Sequence, residues 1–239
     1  MRSVPVAAVV AVSFALAASA TASERGPGAA GAVLTQETQR AMTQEQAMQR
    51  LRDGNARFVA GKLLARDLPA QVKATAQGQF PFAVVLSCLD SRIPVEYVFD
   101  QGIGDLFTAR VAGNFVNDDI LGSMEFATQV VGSKLIVVMG HTSCGAVKGS
   151  CDNVQLGKIS DLVNEIQPSV QAVAGHTCTS KDAAAVDKIA DHNVGRTIAE
   201  LRRRSAIIRD QEARGEVKIV GAMYDVATGK VSLHDADQK

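Results

Sequence analysis

The stretches FAVVLSCLDSR, residues 82–92, and LIVVMGHTSCG, residues 135–145, decide the fold. Each opens with a short, unbroken apolar run, FAVVL in one and LIVVM in the other. A run of that length without polar alternation suits a strand covered on both faces, as in a parallel sheet. Residues 106–111 and 217–223 give two more such runs, and residues 230–233 suit an edge hairpin after Thr228-Gly229. Helical spacing fills the intervals, at residues 94–100, 118–131, 159–173 and 182–214. Strands alternating with helices predict an α/β fold with a mainly parallel central sheet flanked by helices. Ahead of the sheet, residues 43–62 place Ala47, Leu51, Phe58 and Val59 on one helical face, with Thr43 and Gln46 as a capping box. They are read as an amino-terminal helical arm, joined to the first strand by a polar stretch.

The chain has 239 residues, room for one domain with a substantial core once its amino terminus is set aside. Arg2, the apolar run at residues 4–18 and the A-x-A sites Ala18-Ser19-Ala20 and Ala20-Thr21-Ala22 read as a secretory signal peptide over residues 1–22. A membrane anchor is the competing reading, but the run is short for a span and rich in alanine. Residues 23–37 are expected as a flexible leader and residues 38–239 as the domain. Export is expected, to the periplasm if the cell is Gram-negative, and no membrane span is expected after processing. Lysine plus arginine equals aspartate plus glutamate, at 25 each, so the chain lacks the basic surplus of a nucleic-acid binder.

Both apolar runs end in metal-ligand chemistry. In open α/β sheets, sites form outside the carboxyl ends of the strands. If the two strands are neighbours, Cys88, His141 and Cys144 converge there. Two thiolates and an imidazole make a zinc set that leaves the fourth position open, the mark of a catalytic site. The competing reading is two buried apolar cysteines and a satisfied core histidine. Asp90 and Arg92 follow the first cysteine, and an arginine fork can fix a carboxylate in one orientation. A helix-initiating cap before Ile93-Pro94 explains the same residues.

Cys88-x-Asp90-Ser91-Arg92 followed by Gly140-His141-x-x-Cys144-Gly145 resembles the paired signature of β-carbonic anhydrases. Gly54-Asn55-x-Arg57-Phe58, Gly104-Asp105-Leu106-Phe107, Ala112-Gly113-Asn114 and Gly221-Ala222-x-Tyr224-Asp225 extend the resemblance over nearly all of the chain from residue 43 to residue 233. It implies Zn2+ held by Cys88, His141 and Cys144, with Asp90 and Arg92 as the catalytic pair. The implied reaction interconverts carbon dioxide and bicarbonate by attack of zinc-bound hydroxide. Gln79 matches a glutamine that meets substrate across a dimer interface, Phe107 an aromatic wall of the pocket, and Gly145 a glycine whose N–H meets bicarbonate. Phe126 stands where many members have tyrosine. A homodimer or dimer of dimers is implied, with each amino-terminal helix packed on the partner. In one subclass a tryptophan three residues before the first cysteine accompanies a closed site. Here Val85 stands there, so Asp90 is expected off the metal and paired to Arg92.

A hydrolase of carbon disulfide or carbonyl sulfide on the same scaffold is the rival enzyme, and a non-catalytic zinc-binding protein the rival class. A thiol redox protein would want C-x-x-C, which no cysteine pair has. With Cys88 and Cys144 on the metal, Cys151 and Cys178 remain, both in apparent loops flanking the 159–173 helix. Export favours a Cys151–Cys178 disulfide, which in the chain-entropy model contributes roughly 3–4 kcal/mol. Unpaired thiols, or a minor second metal site with His176, are the alternatives.

Overall fold

The computed structural model describes residues 31–235 apart from His176. The expected signal peptide, residues 23–30 of the expected leader and His176 therefore lie outside the described residues. The elements run α1 (Gln36–Ala41), α2 (Gln44–Val59), α3 (Leu68–Thr75), β1 (Ala83–Ser87), α4 (Val95–Val98), β2 (Leu106–Arg110), α5 (Asp118–Glu125) and a π-helical turn (Phe126–Val130). They continue with β3 (Leu135–His141), α6 (Gly145–Cys151), α7 (Gly157–Asn164), α8 (Gln167–Ala174), α9 (Ala183–Arg204), α10 (Ala206–Ala213), β4 (Lys218–Tyr224) and β5 (Val231–Asp235).

One five-stranded sheet carries the molecule, in the order β2-β1-β3-β4-β5. The first four strands are parallel, and β5 returns antiparallel to β4. Every residue of β1 and β3 is buried, which is why both read as unbroken apolar runs. Strand alternation divides their side chains between two cores. Val85, Val137 and Val220 face one core with α2, α4 and the start of α9. Val84, Leu86, Ile136, Val138 and Ile219 face the other, with α5, α10 and the later turns of α9. The chain reverses its winding between β1 and β3, so the carboxyl ends of those strands flank a topological switch point, where such folds bind ligands.

The sequence reading needs correcting at several helices. The helix expected over 182–214 is two, because Ser205 takes an extended conformation and caps α10 by accepting from Ile208 N–H at 3.1 Å. The helix expected over 159–173 is also two, broken at Ile166, with Pro168 in the first turn of α8. A proline there has no N–H to continue the preceding helix. Residues expected as a polar linker contain α3, whose Gln71 is buried and donates to Ala32 O. α1 starts at Gln36 behind a Thr35 cap, inside the stretch expected as leader.

The amino-terminal arm is helical, as expected. The Thr43–Gln46 capping box is present, with Thr43 N–H on Gln46 Oε1 at 2.8 Å and Gln46 N–H on Thr43 Oγ1 at 3.2 Å. Part of the apolar face of the helix it opens is covered within the chain. Ala47, Met48 and Leu51 of α2 are buried in the chain's own core with Phe82, Val98 and Phe99. Gly54 allows this close approach, because a Cβ there would lie 1.8 Å from Phe99 O.

Cys151 and Cys178 form a disulfide with Cα atoms 5.0 Å apart, joining the end of α6 to the loop between α8 and α9. This excludes the alternatives of two free thiols or a second metal site there. The free cysteines are Cys88 and Cys144, both buried.

Two glycines test the packing in opposite directions. Gly54→Ala is expected to destabilise the fold by about 1–3 kcal/mol, since α2 must move off a backbone carbonyl. Gly122→Ala on α5, where a Cβ meets nothing within 4 Å, is expected to stabilise by about 0.5–1 kcal/mol. Urea unfolding of both variants reads the difference.

Candidate metal centre

Cys88 is the first residue past β1, His141 the last of β3, and Cys144 the residue capping α6. Adjacent parallel pairing of β1 with β3 brings them together. One ligand atom from each, two Sγ and one imidazole nitrogen, lie within 4.8 Å of one another, and all three residues are buried. No other such group of His, Cys, Asp or Glu is found among the described residues.

The hydrogen bonding matches what a metal requires. His141 is wholly buried, and its Nδ1 lies 2.9 Å from Thr142 O. A carbonyl only accepts, so Nδ1 carries the proton and Nε2 presents its lone pair. That Nε2 has no hydrogen-bond partner, which in a closed interior would be costly. A ligating histidine shows this same arrangement, one nitrogen fixed by a carbonyl and the other on the metal. Cys88 Sγ accepts from Gly113 N–H at 3.4 Å. The hydrogen bond from Cys144, helped by His141 and the N–H groups of Gly113 and Asp90, lowers the Cys88 thiol to about 4 against the opposing effect of burial. Cys144 is pushed up by that same bond, by burial and by the charge on Cys88. Without a cation the pair thus holds one proton between two sulfurs, and a dication is what lets both ionise. The donor set fits zinc: two thiolates and a neutral imidazole, with a fourth position left open.

Asp90 flanks this group. Arg92 holds it in a fork, Nε to Oδ1 at 2.9 Å and Nη2 to Oδ2 at 2.7 Å, while Arg92 N–H adds a bond to Oδ1 at 3.0 Å. The side-chain bonds from Arg92, ahead of its backbone N–H and of His141, hold the Asp90 carboxyl well below the usual carboxylate range despite partial burial. Asp90 Oδ2 remains 4.0 Å from His141 Nε2, so the carboxylate edge faces the ligand cluster. The alternative reading of Asp90 as a cap for the following helix is not what the structure shows: α4 has no side-chain cap.

The remaining predicted residues are distributed less tightly. Gly145 opens α6 directly after Cys144, is exposed, and has only open space within 4 Å of where a Cβ would sit. Phe107 and Phe126 pack edge to face at 6.3 Å between centroids. They line a cavity of about 590 Å³ with Val84, Thr108, Ala109 and Gly122, and none of the cysteine–histidine group contributes to its wall. Gln79 is exposed in the loop before β1.

Sequence reasoning missed three supporting groups. Arg110 donates to Cys88 O at 3.0 Å and to Asp90 O at 2.6 Å, bracing the backbone that carries both residues. Tyr224 Oη lies 3.3 Å from Arg92 O. Asn193, on α9, donates to Gly113 O at 2.8 Å and so steadies the peptide that meets Cys88 Sγ. Arg110 was readable in principle, since it ends β2 on the same sheet edge as Cys88. Asn193 was not, because only tertiary packing brings α9 across that loop.

An α/β sheet with a buried Cys-His-Cys group and an arginine-held carboxylate at its switch point defines a metal-dependent enzyme site. The comparisons are specific. The family model described as carbonic anhydrase matches residues 83–231. A carbonic anhydrase of Mycolicibacterium smegmatis is 41% identical over 189 residues, covering 77% of this chain and 89% of that protein. Carbonic anhydrase 2 of Mycobacterium tuberculosis is 38% identical over 191 residues, 77% of this chain and 90% of that protein. A solved β-carbonic anhydrase of Aspergillus fumigatus superposes with a TM-score of 0.64 at 25% identity, covering 82% of this chain and 92% of that one. The chain belongs to the carbonic anhydrase family, in its β class, and its cofactor is zinc.

Metal analysis is expected to find one zinc per chain in the purified protein. A Cys144→Ser variant is expected to lose most of it, because a hydroxyl does not ionise to replace the thiolate. Full occupancy in that variant would contradict the ligand set.

Proposed function

We propose that this chain catalyses the reversible hydration of carbon dioxide to bicarbonate and a proton, with Cys88, His141 and Cys144 as zinc ligands and Asp90 with Arg92 as the catalytic pair. The single observation that carries this reading is the Asp90 carboxylate, fixed by Arg92 and turned toward a buried Cys-His-Cys group. Zinc in such a site lowers the pKa of a coordinated water so that a nucleophile exists near neutral pH.

The chain's own residues do the rest. Arg92 keeps Asp90 ionised, so Oδ2 stays an acceptor through neutral and mildly acid pH. From there it would accept a hydrogen bond from the water that bound zinc activates, and so fix its orientation. Both Asp90 oxygens are engaged by Arg92, which supports an Asp90 that stays off the metal. Arg110 holds the Asp90 peptide in place. In this reading Gly145, with its open approach, offers an N–H to bicarbonate, and Phe107 with Phe126 provides apolar wall. Phe126 offers no hydroxyl, so that wall is less polar than in relatives with tyrosine.

The assembly proposed is a homodimer or dimer of dimers, in which Gln79 reaches the partner's site. What supports it is surface rather than the arm. β2 is an edge strand, and Leu63, Leu64, Leu68, Tyr97 and Ile103 near it are exposed. Exposed apolar area beside an open strand edge marks an association surface. Export to an oxidising compartment, with residues 1–22 as signal peptide and residues 38–239 as the working domain, is proposed on the amino-terminal pattern and on the Cys151–Cys178 disulfide. No helix among the described residues is long and apolar enough to cross a membrane.

A carbon dioxide hydration assay tests the proposal. Asp90→Asn is expected to retain zinc yet lose activity by roughly 10²-fold or more, the scale of a lost proton-handling group. Near-parental turnover with zinc in place would reduce Asp90 and Arg92 to structural roles.

A further inference from the structure

Between His141 and Cys144 the chain turns through Ser143, whose φ is +56°. That left-handed conformation is disfavoured for a residue with a Cβ and persists where surrounding contacts impose it. The contacts are on view. Ser143 N–H donates to Asp187 Oδ1 at 2.7 Å, a carboxylate on α9. Lys148 Nζ lies 3.3 Å from Ser143 Oγ. The preceding residue is pinned separately, Thr142 N–H on Tyr224 O at 3.0 Å and Val226 N–H on Thr142 Oγ1 at 3.1 Å. The turn matters because it lets the last residue of β3 and the cap of α6 aim their ligand atoms at one point.

The far end of α6 is tied to the segment leading into α9 as well. Cys151 is bonded to Cys178, and Asp152 Oδ1 accepts from Ser180 N–H at 2.8 Å. α6 is thus fastened to one neighbour at both ends, by Asp187 beside Cys144 and by the disulfide beyond its last turn.

We propose that Asp187 is a positioning residue of the metal centre, holding Ser143 in its left-handed turn and thereby setting the spread between His141 and Cys144. The proposal rests on the zinc reading of that centre. Asp187 touches no ligand, and its effect passes through the Ser143 N–H.

The test is the rate at which the zinc-loaded protein gives up metal to an excess of the colorimetric chelator 4-(2-pyridylazo)resorcinol. Asp187→Ala is expected to release zinc at least about tenfold faster, the usual scale for losing a group behind a metal ligand. Asp187→Asn keeps an acceptor oxygen and is expected to stay within about threefold of the parent, the effect of weakening rather than removing one hydrogen bond. Adding Ser143→Gly to Asp187→Ala should recover most of the loss, because glycine takes a positive φ without support. Ser143→Val, which adds strain while Asp187 stays, should also speed release and provides an arm independent of any Asp187 variant. Parental release from Asp187→Ala or from Ser143→Val, or failure of Ser143→Gly to rescue, would overturn the proposal. Absence of zinc from the parent protein would refute the metal centre itself, an outcome distinct from zinc present and held equally well without Asp187.

Discussion

Two sulfurs and an imidazole nitrogen, all on buried residues and within 4.8 Å of one another, are unstable company without a cation. Cys144 donating to Cys88 lowers the one thiol and raises the other, and His141 Nε2 has no hydrogen-bond partner among the described residues. Much else in the structure serves to hold that cluster. The parallel pairing of β1 with β3 supplies its two sides. The runs AVVLS and LIVVMGH are buried throughout and pack both faces of those strands into the two cores. α6 starts at the third ligand and is fastened at its other end by a disulfide.

Asp90 faces the cluster, and it is kept ionised from outside. Arg92 forks onto Asp90, and Arg110 grips the backbone beneath it. Arg92 is half exposed while Asp90 is mostly covered. The pair therefore contributes little to stability by itself, as exposed ion pairs do. Its consequence is geometric, a fixed acceptor beside a Lewis-acid site.

How much of this was legible in the sequence depended on what kind of physics each feature uses. The strands were readable because burial on both faces writes itself as apolar runs, and the ligands because they sit where those runs stop. The Cys151–Cys178 bond followed from counting cysteines against the metal site. Helix ends were less legible. The break at Ser205 is a local cap inside a continuous helical pattern, and α3 hides in a polar stretch because its stability comes from Gln71 bonding to Ala32 and Ile103. What covers the arm was illegible for a related reason. Amphipathic spacing shows that residues 43–62 have an apolar face but not which surface covers it, and the contact that decides is Gly54 against Phe99. Arg110, Asn193 and Asp187 act through contacts between segments far apart in sequence, and no local pattern announces them.

The central claim is that Cys88, His141 and Cys144 bind zinc with one position open to solvent, and zinc-edge X-ray absorption on the purified protein near neutral pH reads it directly. The account predicts two sulfur scatterers at about 2.3 Å and two nitrogen or oxygen scatterers at about 2.0–2.1 Å. A four-sulfur shell, or a shell with fewer than two sulfurs, would contradict it.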